Sequence, residues 1–331
     1  MLLDARLPTV PMTSSRTIDI PLLGAGLELG SSARGTAMGP HALRTAGLVR
    51  ALADLGHRVA DRGTIHEVEP VAVAMDPALA ARCNHLEAIA GWTRAIHDQA
   101  FEMASGPGVP LFLGGDHAIS LGTVTGVARA RATQGRRMAV LWIDAHADYN
   151  TPETTLSGNL HGMVLSLATG NPVLASILGD RPLVPLTPSD ITLFGARSID
   201  PAEKARLRAH GLDAVDMRAI DERGVSAELA QRLARWRADD VALHVSFDLD
   251  FLDPAVAPGT GTVVPGGATY REAHLVMEML CDSGLVASVD VVELNPFLDE
   301  RGRSAIAATE LVASLYGRTV LDRPQGAVSA A

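Results

Sequence analysis

The chain has 331 residues, 47% of them hydrophobic and 20% charged, which excludes a disordered polymer and leaves room for a large buried core. Its net charge is −10 with no lysine- or arginine-rich run, which argues against nucleic acid and an anionic membrane as partners but leaves a cationic small molecule open. No apolar run reaches the roughly 20 residues of a membrane span, and residues 1–16 lack the pattern of a signal peptide. Cys83 and Cys281 match no metal or redox spacing and read as reduced thiols of a cytoplasmic protein.

Strand and helix patterns alternate from residue 17 onward. Strands are predicted at Thr17–Leu23, Val109–Leu113, Met138–Ile143, Asp190–Phe194, Val241–Phe247 and Val286–Val292, each rich in Val, Ile and Leu and bounded by Gly, Pro or Asp. Helices are predicted at Pro40–Leu55, entered through Gly39-Pro40, and at Pro77–Ala104, as one helix or two. Thr269-Tyr270-Arg271-Glu272 is a capping box, and Gly284 closes the helix it opens. Aromatics are only 4%, so the core is built from small aliphatic side chains, which suits helices packed on a parallel sheet. The expectation is a three-layer α/β/α fold with a central, mostly parallel, doubly wound sheet. Residues 17–322 form one catalytic domain in this reading, between a flexible N-terminal tail (1–16) and a C-terminal tail (323–331).

Polar residues look out of place in four stretches: Gly114-Gly115-Asp116-His117, Asp144-Ala145-His146-Ala147-Asp148, Asp248-Leu249-Asp250, and Glu293. The first three each follow an apolar strand, and ligands of such sheets sit beyond the carboxyl ends of the strands. Alternate residues of an extended segment point the same way, so Asp144, His146 and Asp148 share a side, as do Asp248 and Asp250. Glycines let the chain turn sharply into His117. Without a cation these groups would repel one another or be desolvated. Asp116 and Asp253 read better as caps or supporting residues. Two histidines and four aspartates suffice for two divalent ions. Carboxylate oxygens with one imidazole per ion and no thiolate suit Mn²⁺ better than Zn²⁺, with Co²⁺, Ni²⁺ or Fe²⁺ as substitutes. Such a pair lowers the pKa of a water between the ions, so the reaction class is metal-assisted hydrolysis.

These motifs, with Asp-Ala-His-Ala-Asp-Tyr-Asn (144–150), Ser-Phe-Asp-Leu-Asp-Phe-Leu-Asp-Pro (246–254) and Glu-Leu-Asn-Pro (293–296), resemble the signatures of the arginase (ureohydrolase) family, bacterial type, over residues 17–320. The resemblance implies hydrolysis of L-arginine to L-ornithine and urea by a hydroxide bridging two Mn²⁺ per subunit. It implies that His117, Asp144, Asp148 and Asp248 hold one ion, that Asp144, His146, Asp248 and Asp250 hold the other, and that Asp148 also accepts a hydrogen bond from the hydroxide. It implies that Asn150, Thr155 and Ser157 hold the substrate α-carboxylate, short donors on a loop being suited to that task. Asn159 and Asp200 lie by the α-amino end, Thr262 adds a pocket hydroxyl, Glu293 orients the guanidinium and His161 shuttles a proton. A homo-oligomer, trimer or hexamer, is a further implication. Phe251 stands where many members have glycine, and Val263-Val264-Pro265 departs from their usual order, either of which would reshape the pocket wall or a subunit contact.

The nearest alternative is another ureohydrolase, acting on agmatine or a guanidino acid. A nicotinamide-dependent oxidoreductase is suggested by Leu23-Gly-Ala-Gly-Leu-Glu-Leu-Gly30, a loose dinucleotide fingerprint. A non-catalytic binding protein on the same fold is the third.

Overall fold

The computed structural model describes residues 17–321, so both predicted tails lie outside the described residues. Eight strands form one sheet: β1 (Asp19–Ala25), β2 (Arg58–Ile65), β3 (Leu111–Leu113), β4 (Met138–Ile143), β5 (Ile191–Ala196), β6 (Asp213–Asp216), β7 (Ala242–Asp248) and β8 (Val286–Val292). Their order is β2-β1-β3-β8-β7-β4-β5-β6, and every neighbouring pair is parallel. The sheet is therefore wholly parallel rather than mostly so. β4 and β8 have the predicted bounds, and the other predicted strands begin slightly later than the alternation suggests.

β2 and β6 are absent from the sequence reading, and both are edges of the sheet. β2 is largely exposed and carries Arg58, Asp61 and Arg62. Charge on an edge discourages pairing with another chain, and it also removes the apolar run by which an interior strand is recognised.

Alternate residues of β4 enter opposite cores. Met138, Val140 and Trp142 pack with Ile89, Trp92 and Ile96 of the helix Leu86–Ser105 and with Val124 and Val127 of Ser120–Thr133. Ala139, Leu141 and Ile143 pack with Leu229, Val276 and Leu311 from the helices Val225–Ala238, Tyr270–Ser283 and Arg303–Leu315. Two apolar layers thus enclose the sheet, as a parallel sheet requires. The stretch Pro40–Leu55 is two helices, Gly39–Thr45 and Leu48–Asp54, divided at Gly47, whose φ is 95°. Pro77–Ala104 likewise divides into Pro77–Ala80 and Leu86–Ser105. The capping box of Thr269 and Glu272 is formed, and Gly284 ends its helix in the left-handed region.

The glycine-rich segment after β1 does not open directly into a helix: residues 26–35 are irregular before the short turn Thr36–Met38 and the helix Gly39–Thr45. The N–H groups of Gly30 and Ser31 donate instead to Asp116 Oδ2, at 2.6 and 3.1 Å. A dinucleotide phosphate would find no helix N-terminus there. Among the described residues no single helix is long and apolar enough to cross a membrane.

Candidate metal centre and substrate cavity

β3, β8, β7 and β4 are consecutive in the sheet, so the segments leaving their carboxyl ends meet at one place. The strand order jumps between β3 and β4, with β8 and β7 filling the gap. The loop after β4 does not simply continue the strand: Asp148 adopts φ 47°, a left-handed conformation uncommon for a non-glycine residue. The three side chains of 144–148 therefore converge by a turn, not by regular extension. Glu293, directly after β8, has φ 65°. Such conformations persist where surrounding contacts over-determine them, and they cluster at functional sites.

His117 Nδ1 lies 3.2 Å from Asp144 Oδ2, 3.2 Å from Asp148 Oδ2 and 3.0 Å from Asp248 Oδ2. His146 Nδ1 lies 2.9 Å from Asp250 Oδ2 and 3.5 Å from Asp144 Oδ1. The side chains thus form two groups that could each hold a cation, His117–Asp144–Asp148 and Asp144–His146–Asp250, with Asp144 common to both. Asp248 adjoins the first group, and its Oδ1 accepts the Asp250 N–H at 2.8 Å. The ligand candidates are held from behind. His117 stacks on Trp142 with ring centroids 3.9 Å apart, and its Nε2 meets Ser246 Oγ at 2.8 Å. Trp142 Nε1 donates to Asp144 Oδ2 at 2.9 Å. Arg197 spends its guanidinium on the carbonyls of Asp250, Phe251, Leu252 and Val264, fixing the turn that carries Asp250.

The donor set fits cations. His117 Nδ1 is buried, faces three carboxylate oxygens and makes no hydrogen bond. Among the described residues the ion pairs of these four carboxylates are with the two histidines alone. Burial, then the neighbouring charges of Asp250 and Asp144, pushes Asp248 well above the usual carboxylate range. Burial and the charge of Asp144 push Asp250 up to about 6 and raise Asp148 as well. Burial opposes protonation of His146, but hydrogen bonds to Asp144 and Asp250 prevail and push it up to about 12. The cluster thus gathers protons where divalent charge would serve it better.

Asp116 caps the turn His117–Ile119 and holds the 30–31 loop; Asp253 accepts the N–H groups of Ala255, Gly266 and Gly267. Both have the supporting role their positions suggest.

A cavity of ≈ 260 Å³ opens on the centre. Of the predicted substrate residues, Asn150, Ser157, Asp200 and Thr262 line it, together with His161. Thr155, Asn159 and Glu293 are buried just behind it: the Thr155 hydroxyl accepts the Gly158 N–H at 2.9 Å. Asn150 Nδ2 donates to Asp200 Oδ2 at 3.1 Å, and Thr262 Oγ1 to Asp250 Oδ2 at 3.1 Å. Glu293 Oε1 accepts the His117 N–H at 2.8 Å and lies 3.0 Å from His161 Nδ1, while its Oε2 has no partner. Burial lowers His161, but the hydrogen bond and charge of Glu293 outweigh it and push it up to about 9.

Glu203 and Ser198 also line the cavity and were not singled out in the sequence. Glu203 accepts the N–H groups of Asp200 and Tyr149 at 2.9 Å each, and burial pushes it up to about 7 against those bonds. The sequence does carry a signal for Glu203, because Asp200-Pro-Ala-Glu203 has the spacing of a capping box. Of the two effects expected of Phe251, the structure bears on the pocket wall. Phe251 is fully buried against Phe194 and walls no part of the cavity.

The arginase family model matches residues 18–317. The arginase of Agrobacterium fabrum is 49% identical over 304 residues, covering 91% of this chain and 92% of that protein. That of Brucella melitensis is 47% identical over 306 residues, covering 92% and 97%. Among solved structures, the arginase of Bacillus caldovelox has a TM-score of 0.83 at 37% identity, covering 92% of this chain and 100% of that one. In sequence and fold alike, the chain belongs to the arginase family of enzymes.

Proposed function

We propose that the protein hydrolyses the guanidinium group of L-arginine to give L-ornithine and urea. One observation carries the reading: a charge-excess carboxylate–imidazole cluster at the floor of a cavity whose rim offers short donors. Held by His117, Asp144, His146, Asp148, Asp248 and Asp250, two divalent cations, manganese by their oxygen-rich ligands, would supply the charge that lowers the pKa of water between them.

The chain's own residues do the rest. Asn150 and Ser157, with Thr155 beneath, receive the α-carboxylate. Asp200, with Asn159 and Glu203 nearby, serves the α-amino end, and Thr262 completes the wall. Glu293 Oε2 accepts a guanidinium N–H while Oε1 stays on His161, which fixes the reacting carbon beside the cluster. Asp148 accepts the proton released as water adds to that carbon. The bond to the side-chain nitrogen breaks, and His161, its ring held on Glu293, protonates the departing amine. Assembly as a homo-oligomer, trimer or hexamer, belongs to the same reading.

Urea release from L-arginine, agmatine and guanidinobutyrate, measured with metal content on one Mn²⁺-loaded sample, tests it. Arginine should be preferred, and chelation should abolish turnover. Metal-loaded protein without arginine-dependent urea would refute the assignment.

A further inference from the structure

The loop Thr155–Asn159 has no regular secondary structure, and Leu156 at its tip is 87% exposed. Hydroxyls that recognise a carboxylate must be held to within about 0.5 Å, so something must fix this loop. The turn Arg82–His85, remote in sequence and outside every motif of the site, does so. The Asn84 N–H donates to the Gly158 carbonyl at 2.8 Å. Asn84 Nδ2 donates to the Ser157 carbonyl at 2.9 Å and to Asn159 Oδ1 at 3.0 Å. Arg82 Nη2 donates to the Thr155 carbonyl at 3.2 Å. The approach is close: Gly158 has φ +78°, and a side chain there would press within 3.1 Å of Arg82 O and Asn84 Oδ1. His85 turns the chain at φ 54° into the helix Leu86–Ser105, so the supporting turn is anchored in a core element.

A second anchor meets the loop. Asn159 Nδ2 donates to Ser32 Oγ at 2.9 Å, and Ser32 belongs to the loop whose Gly30 and Ser31 N–H groups bind Asp116. The Asn159 amide is therefore engaged at both ends, its oxygen by Asn84 and its nitrogen by Ser32. The Asn159 N–H in turn donates to Ser157 Oγ at 3.2 Å, which orients the hydroxyl on the cavity wall.

We propose that Asn84, backed by Ser32, is a positioning residue that sets selectivity for substrates bearing an α-carboxylate, by holding Ser157 and Asn159 in place. This rests on the carboxylate clamp proposed above. Asn84 touches no substrate, so its loss should act on binding alone, and chiefly through the carboxylate met by Ser157. In Asn84→Ala, the KM for L-arginine and the inhibition constant of L-ornithine should rise about tenfold, with kcat within about twofold of the parent. The inhibition constant of agmatine, which keeps the amino group by Asn159 but lacks the carboxylate, should move much less. Equal weakening of ornithine and agmatine, or of neither, would overturn the proposal. Ser157→Ala separates the inference from its foundation. If that variant weakens ornithine and agmatine alike, the clamp itself fails. If it singles out ornithine while Asn84→Ala does not, only the positioning role fails. Combined, the substitutions should be markedly less than additive, and simple additivity would contradict action through Ser157. Should Asn84→Ala not fold, Ser32→Ala removes the other anchor without touching the 82–85 turn. It must weaken ornithine more than agmatine, or the proposal falls.

Discussion

Buried carboxylates and imidazoles occur at two levels of the same strands, with opposite chemistry. At the carboxyl end, among the described residues, Asp144, Asp148, Asp248 and Asp250 form ion pairs only with His117 and His146. Further down β7 and β8, one carboxylate, Asp290, meets one imidazole, His244, at 3.2 Å, and its Oδ2 also accepts from Ser120 Oγ (2.9 Å) and Thr123 Oγ1 (2.6 Å). Burial would raise Asp290, but the charge and hydrogen bond of His244 hold it below the usual carboxylate range. Alternation along β7 puts His244, Ser246 and Asp248 on one side, so the two levels adjoin, Ser246 reaching up to His117. The ratio of acids to bases separates them. One to one balances the charge within the pair; two to one leaves negative charge that calls for a cation.

The comparison breaks most visibly at the upper level. Asp148→Ala or Asp250→Ala should cut urea production on the order of a thousandfold in a metal-replete assay; near-parental turnover would remove these groups from the centre. At the lower level, Asp290→Ala should destabilise the fold by about 3–5 kcal/mol by leaving His244 without its partner. Denaturant titrations with and without chelator should give the same loss, because no cation is involved. A metal-dependent loss would merge the two levels into one.

A buried imidazole with no hydrogen-bonded acid extends the comparison. His97 is fully buried with Nδ1 2.9 Å from Thr125 Oγ1, and burial, only partly offset by the charge of Asp98, lowers it from 6.5 to about 4. The fold prefers the neutral ring, so its contribution is whole above pH 6.5 and is lost as pH falls toward 4. That is about 2–3 kcal/mol. His97→Gln should flatten the stability profile across this window, and an unchanged slope would deny the assignment. The smallest effect is a change of sign. Asp250→Asn should stabilise metal-free protein by about 1 kcal/mol, by relieving repulsion, and should destabilise the Mn²⁺-loaded form. Melting curves of both forms would show the inversion or rule it out.

The sequence made the interior of the sheet legible because burial on both faces enforces apolar runs. β4 and β8 could be bounded from Val, Leu and Ile alone. β2 and β6 could not, since Arg58, Asp61, Asp213 and Asp216 answer to solvent and to ion pairs such as Arg58–Asp19 and Arg232–Asp213. The cluster was legible for a related reason: acids directly after apolar strands conflict with burial unless a ligand resolves it. The turn at Asp148 and the direct contact of His161 with Glu293 were not, because each depends on a backbone conformation or a tertiary neighbour rather than on spacing.

Gly195, at φ +101°, lies against the Phe251 ring so closely that a methyl group there would overlap it. This makes the order of evolutionary steps one-directional. A descendant can trim the ring first, tolerating a void beside the turn that bears Asp250. It cannot first enlarge residue 195, whose every single-step replacement meets the aromatic edge and an unfavourable torsion together. Lineages carrying phenylalanine at this place are therefore held to glycine opposite it, and the torsion still favours glycine once the ring is gone.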